Sequence, residues 1–391
     1  MDVVTVIELT RALVRLRTVN EPSTGTSEAS AAELVATTMR GFGWRPEVVE
    51  VAPGRPNVVA VVEGRGGPGP TLMFEGHTDV VTEGDLSSWT FDPYGAVLRD
   101  GRIHGRGSAD MKSGLAAMIY GVRALELAGP FPGRVVVAAL VDEEGLMLGA
   151  KHFARTPLAA EVDGVIVCEP EAGEVCATAK GAIRIRVDVT GVMAHGAMPQ
   201  HGRNPLPALA GIVSGLGAVE RRLQAEHSEH ELLGWCYLTP TVLTAGDLDQ
   251  INVIPAHGSV AIDVRTVPGV DHDRVLDDVR ALAESVVQPC GLGVEVVVVD
   301  DRPAVETPRD HPVVAALAAA HRAVTGEEPR FGGVPGATDG TILTRDAGLA
   351  TVVYGPGGKW IAHQVNEFVD VSEIVTCARV YAEAARLFLT A

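Results

Sequence analysis

No two of the five cysteines, Cys168, Cys176, Cys236, Cys290 and Cys377, stand in a C-x-x-C pair, and their number is odd. That usage argues against a disulfide framework and for a reducing compartment, so a cytoplasmic location is expected. No stretch approaches the ~18 consecutive apolar residues that a bilayer-spanning helix requires. The chain opens with Asp2 and a short apolar run at 3–7, too brief for the core of a signal peptide. Positive charge is also scarce. Lys and Arg number 32 against 50 Asp and Glu, a formal charge of −18, which argues against nucleic acid and anionic membranes as partners. A local basic pocket for an acidic small molecule is compatible with that balance. Internal repeats and low-complexity segments are missing too.

What is present is ample apolar material, 46% of 391 residues, enough for two domains with real cores. The first helical pattern places Val6, Leu9, Leu13 and Leu16 on one face. Strand patterns at 57–63, 72–75, 134–141 and 164–168 then alternate with helical ones, including a helix after Asp110 that carries Leu115, Met118, Ile119 and Val122. This rhythm predicts an α/β catalytic domain with a mixed sheet flanked by helices. After Glu169 the pattern changes. Residues 182–190 alternate in period two, Ile183, Ile185, Val187 and Val189 against Arg184, Arg186 and Asp188, as a half-exposed antiparallel strand does. A helix at 205–223, strands at 238–244 and 259–266, a helix at 273–287 and a strand at 294–299 complete a β-α-β-β-α-β order. The expectation is an inserted α+β sandwich at 180–291, interrupting a catalytic domain made of 1–179 and 292–391. The chain then returns with a helix opening at Pro312, a strand at 350–354 and a capped helix after Asp370 or Ser372.

Metal-competent side chains recur along this frame. FEGHTDVV at 74–81 holds His77 and Asp79, GRGSADMKSG at 105–114 holds Asp110, and VDEEG at 141–145 holds Glu143 and Glu144. IVCEP at 166–170 holds Glu169, and WIAHQVNEFV at 360–369 holds His363. Most follow predicted strands, where open α/β sheets place their ligands. Two His and several carboxylates without a ligating Cys suit a pair of divalent ions such as Zn²⁺. Gly76 is expected to let the chain turn before His77, and Asp79 to accept the imidazole N–H that a metal does not use. Asp110 stands where a helix N-cap is expected. Of the adjacent Glu143 and Glu144, one can meet a metal while the other addresses a bound water; the residues alone do not say which. Strand alternation points Cys168 away from Glu169.

These segments, over nearly the whole chain, resemble the dinuclear-zinc M20 family of amidohydrolases and exopeptidases. That family includes acetylornithine deacetylase, succinyl-diaminopimelate desuccinylase, aminoacylase and glutamate carboxypeptidase. The resemblance implies that His77 and Glu169 hold one metal, Glu144 and His363 the other, and that Asp110 bridges them. Zn²⁺ is the implied ion, with Co²⁺ or Mn²⁺ as substitutes. It further implies that Asp79 orients His77, that Glu143 is the general base and that the Asp110–Met111 peptide is cis. Thr82 and Glu171 depart from the family's usual Pro and Thr, which bears on subfamily and not on chemistry.

The expected insert carries a second constellation. GVMAHGAMP at 191–199 and GRNP at 202–205 resemble the family's lid segment, which implies that His195 reaches a partner subunit's site and helps stabilise an oxyanion. Asn252 and Arg265 match substrate-gripping positions, and an Arg fork suits a carboxylate; a surface ion pair with Asp263 is the plainer role for Arg265. Thr338, in GGVPGATDG at 332–340, matches a loop that lines the substrate pocket. Together these imply a homodimeric hydrolase acting on the amide of a small N-acyl amino acid. A carboxypeptidase or dipeptidase, a mononuclear hydrolase and a non-catalytic binding homologue are the alternatives.

Overall fold

The computed structural model describes residues 3–21, 25 and 27–391; Asp2 lies outside them. The chain divides into two units. The first takes the chain up to Thr178, then Glu306–Val334 and Thr338–Ala391; the second takes Ala179–Val305 and Pro335–Ala337. The expected insert boundary at 291 falls short for a simple reason. The strand Gly293–Arg302 pairs antiparallel along Gly181–Thr190, so it belongs to the second unit's sheet.

In the first unit a mixed sheet runs from Glu47–Ala52 through Arg55–Glu63, Arg134–Leu140, Thr71–His77 and Gly164–Val167 to Thr351–Val353. Its middle strands are parallel. Thr71–His77 lies between Arg134–Leu140 and Gly164–Val167, with His77 opposite Leu140 and Glu75 opposite Val167. These three strands are buried on both faces, and their sequences (TLMFEGH, RVVVAAL, GVIV) are correspondingly continuous in apolar residues. The registers bring the C-terminal ends of three strands together, and His77, Glu143 and Glu169 emerge there.

Helices Val3–Val14, Ala29–Gly41, Ser113–Ala128, Pro312–Thr325 and Val371–Leu389 supply the rest of this core. Val6, Leu9 and Leu13 are buried, as the pattern of the first helix predicts, whereas Leu16 lies beyond its end at Val14 and is half-buried. The helix Ser113–Ala128 lies so close behind the site that a Cβ on Gly114 would stand 1.9 Å from the carbonyl oxygen of Cys168. Only glycine fits there.

The second unit has a four-stranded antiparallel sheet in the order Tyr237–Ala245, His257–Thr266, Gly181–Thr190, Gly293–Arg302. Helices Leu206–His227 and His272–Val287 share its core with Ile183, Ile185, Val187 and Val189, all nearly inaccessible to solvent. The period-two reading of this strand therefore holds. The edge strand Tyr237–Ala245 is exposed along most of its length, Val242 and Leu243 included.

Candidate metal centre

Six of the expected side chains converge in the first unit around one carboxylate. Oδ1 of Asp110 lies 3.2 Å from Nε2 of His77, and its Oδ2 lies 3.2 Å from Nε2 of His363. The Nε2 of His77 is also 3.3 Å from Oε1 of Glu169, while that of His363 is 3.1 Å from Oε1 of Glu144. Two trios result, His77–Asp110–Glu169 and Asp110–Glu144–His363, and they share Asp110. A third grouping joins His77, Glu143 and Glu144. The peptide between Asp110 and Met111 is cis.

Asp79, fully buried, is placed to orient both neighbours. Its backbone carbonyl lies 3.0 Å from Nδ1 of His77, which leaves Nε2 to face the acids. Its carboxylate accepts the backbone N–H groups of Glu143 and Glu144, each at 3.1 Å, and an N–H of Asn20 at 2.7 Å. Asn20 also donates to Asp142, which pairs with Arg55. Asp142 adopts a left-handed backbone (φ 67°) and accepts the N–H of Leu146, so the turn carrying both glutamates is fixed from beneath.

Two local expectations are corrected. Gly76 does not turn the chain, because the strand continues through His77. What matters is its missing Cβ, which would stand 2.5 Å from Cε of Met111. Nor does Asp110 cap the following helix, whose first turn has no side-chain cap; its carboxylate is engaged by the two imidazoles. Cys168 does point into the apolar core, where burial pushes its thiol up.

Electrostatics show how much negative charge is concentrated here. Burial pushes Glu143 far above the usual carboxylate range, with Glu169 and Glu144 adding to it against the pull of His77. Burial and the charge of Asp110 raise Glu169 to about 8. Burial would raise Asp110 as well, but the imidazoles of His363 and His77 outweigh it and hold that carboxyl far below its ordinary value. Hydrogen bonds to Asp110 and Glu144 raise His363 to about 11. His77 rises too, although its burial opposes the change. Five buried or nearly buried carboxylates with two imidazoles are costly without compensating cations. The donor set, carboxylate oxygen and imidazole nitrogen without thiolate, fits Zn²⁺ or a similar dication. Tetrahedral ligands at ~2.0–2.1 Å from an ion lie about 3.3 Å apart, close to the separations of 3.1–3.3 Å seen here.

Around the centre, Glu75 is buried on the strand of His77, and burial together with Asp339 pushes its carboxyl well up. Glu367, fully buried, accepts four hydrogen bonds from the 106–110 segment. Glu75, Arg106 and Glu367 lie inside the metal-ligand motifs but carry no role that the sequence alone assigns, and Asn20 carries none either. For the motif residues the signal was a charge embedded among apolar and glycine positions.

A sequence profile of peptidase family M20/M25/M40 matches residues 73–387. The chain belongs to that family. Its similarity to curated M20 relatives runs end to end: it is 31% identical to succinyl-diaminopimelate desuccinylase 2 of Ruegeria sp. (strain TM1040), covering 97% of this chain and 94% of the relative. Among solved M20 structures, the metallo-carboxypeptidase Sso-CP2 from Sulfolobus solfataricus superposes with a TM-score of 0.83 at 20% identity, covering 100% of both chains. The Bacillus subtilis YXEP protein, described as a dinuclear metal-binding M20 peptidase, gives 0.74 at 18% identity over 99% of this chain and 98% of that one. This M20 chain is thus a metallo-hydrolase with the fold of those enzymes.

The remaining expected site residues lie elsewhere. Thr338 is buried immediately before the helix Asp339–Ala347 in the first unit. In the second unit, His195 sits in the two-residue strand Ala194–His195, opposite Val253, and the N–H of Gly196 donates to the carbonyl of Asn252 at 2.7 Å. His195 and Asn252 are therefore neighbours. Arg265 extends its fork to Asp263, at 2.6 and 3.1 Å, the plainer of its two expected roles.

Proposed function

We propose that this M20 hydrolase is a deacylase that cleaves the amide bond of a small N-acyl amino acid. The single observation that carries the reading is Asp110, whose two oxygens face two imidazoles at equal distance, each imidazole accompanied by its own glutamate. In this reading His77, Asp110 and Glu169 hold one divalent ion, and Asp110, Glu144 and His363 the other, with Zn²⁺ the best match to the donors. Such a pair of ions supplies an acidified water and polarises the scissile carbonyl. Glu143 takes the water's proton and returns it to the departing amine. The backbone N–H groups of Glu143 and Glu144 are both anchored to Asp79, but Glu144 is the member that approaches His363; this favours Glu143 as base and Glu144 as ligand.

Asn252 and Arg265 are proposed to bind a substrate carboxylate, Thr338 to line the substrate pocket, and His195 to stabilise the oxyanion in a partner subunit of a homodimer. The exposed edge strand Tyr237–Ala245, which needs pairing or protection, supports the dimer. The cysteine usage supports a cytoplasmic setting. The desuccinylase name of the Ruegeria relative supports an N-acyl substrate.

The deciding experiment incubates metal-loaded protein with N-acetyl, N-succinyl, N-formyl and N-carbamoyl amino acids and with dipeptides. Release of free amine from one N-acyl class is expected. Turnover of dipeptides alone would replace the deacylase by an exopeptidase, and no turnover of any amide would favour a binding homologue.

A further inference from the structure

Glu367 is 0% exposed and lies four residues beyond His363. Its Oε2 accepts from Nη1 of Arg106 and from the N–H of Gly107 at 3.0 Å. Its Oε1 accepts from the N–H groups of Ala109 at 2.8 Å and Asp110 at 3.0 Å. Its own carbonyl takes the N–H of Gly105 at 3.0 Å. Arg106, equally buried, turns its other nitrogen, Nη2, to the carbonyl of His363 at 3.3 Å. One carboxylate and one guanidinium therefore fix the backbone on both sides of a gap. The Asp110 amide is held from Glu367, and the His363 carbonyl from Arg106. The side chains of those two residues meet at 3.2 Å.

We infer that Glu367 and Arg106 are positioning residues that set the Asp110–Glu144–His363 cation subsite. The inference rests on the ligand set proposed above. Two members of this subsite, Asp110 and His363, are tied to the pair, whereas the His77–Asp110–Glu169 subsite depends on it through Asp110 alone. Loss of the pair thus weakens one cation more than the other. A role in folding alone has no such asymmetry.

The test is calorimetric titration of Zn²⁺ into metal-stripped protein, with thermal unfolding measured alongside. Wild type should show two binding events, and His363→Ala identifies the event that belongs to its subsite. Glu367→Gln leaves one oxygen to accept and turns an NH₂ toward amide donors, so that event should weaken by roughly 10–100-fold while the other shifts less. Arg106→Lys keeps a cation beside Glu367 but cannot reach Glu367 and the His363 carbonyl together. It should weaken the His363 event and spare the other, which keeps the idea testable if Glu367→Gln does not fold. Two events at wild-type affinity in a folded variant, with only a lower unfolding temperature, overturn the inference. A wild type with fewer than two events overturns the ligand assignment itself, and this inference with it.

Discussion

Nε2 of His363 stands 3.1 Å from Oε1 of Glu144, 219 residues earlier in the chain. That approach separates two glutamates that are adjacent in sequence. On the proposed roles, Glu143→Ala should retain both ions and lose turnover by several orders of magnitude, because it would remove proton transfer alone. Glu144→Ala should lose one ion together with activity. Elemental analysis of the two purified variants checks this. The opposite pattern, Glu143→Ala depleted and Glu144→Ala loaded, would exchange their roles.

Asn20 reaches Asp79 at 2.7 Å and Asp142 at 2.9 Å, binding the two acids that hold the turn carrying Glu143 and Glu144. Asn20→Ala leaves two buried acceptors short of a donor, which should cost ~1–3 kcal/mol of stability. Urea unfolding measures that cost. The turn should also loosen, so kcat should fall more than KM rises. An Asn20→Ala enzyme with wild-type stability and kcat would show that the contact is idle.

Removing the ions should do more than stop the reaction. The carboxylates of the site then face one another without compensation, so the chelated protein should unfold at a lower temperature, and Zn²⁺ should restore both stability and activity. Scanning fluorimetry before and after chelation reads the first effect. Undiminished hydrolysis by the stripped protein would sink the metal mechanism.

Glu28 supplies a pH dependence away from the ligands. Burial pushes its carboxyl up from 4.5 to about 8, helped by the charge of Asp79 and opposed by Arg55. Between those values the folded chain keeps a proton that the unfolded chain has released. Its contribution to stability is therefore complete at acid pH and is lost as pH rises through the folded value. Glu28→Gln, neutral throughout, should flatten the decline across that interval when urea midpoints are compared at several pH values. Parallel curves for wild type and variant would dismiss Glu28 as the source.

The proposed cross-subunit role of His195 makes a claim about mixtures. Glu143→Ala and His195→Ala proteins, each inactive, should recover part of the activity after subunit exchange. One site of the mixed dimer then combines an intact Glu143 with an intact His195 from the other chain. Verified exchange without recovery, or a fully active monomer in sedimentation, would reject the arrangement.

The parallel strands and the ligand loops were legible because continuous apolar runs ended in acids or histidine, as at 72–77 and 134–144. The helix Ala29–Gly41 was not. Its buried face is Ala31, Ala32, Val35, Ala36 and Met39, and alanines carry little periodic contrast. The strand Glu47–Ala52 was missed for the opposite reason: it is an edge strand with half-exposed apolar residues, so its pattern reports no buried face. Asn20 left no trace, since an amide in a loop has no signature until its partners are placed. Glu367 lies in the WIAHQVNEFV segment, but three of its four donors are backbone amides, which no side-chain pattern encodes.

The sharing of Asp110 also staggers when the two halves of the centre come into existence. His77, Asp110 and Glu169 have all been synthesised once residue 169 is made, whereas the other half waits for residue 363, after the entire second unit has been synthesised. During that interval the nascent chain carries Asp110 and Glu144 without the histidine that completes their set.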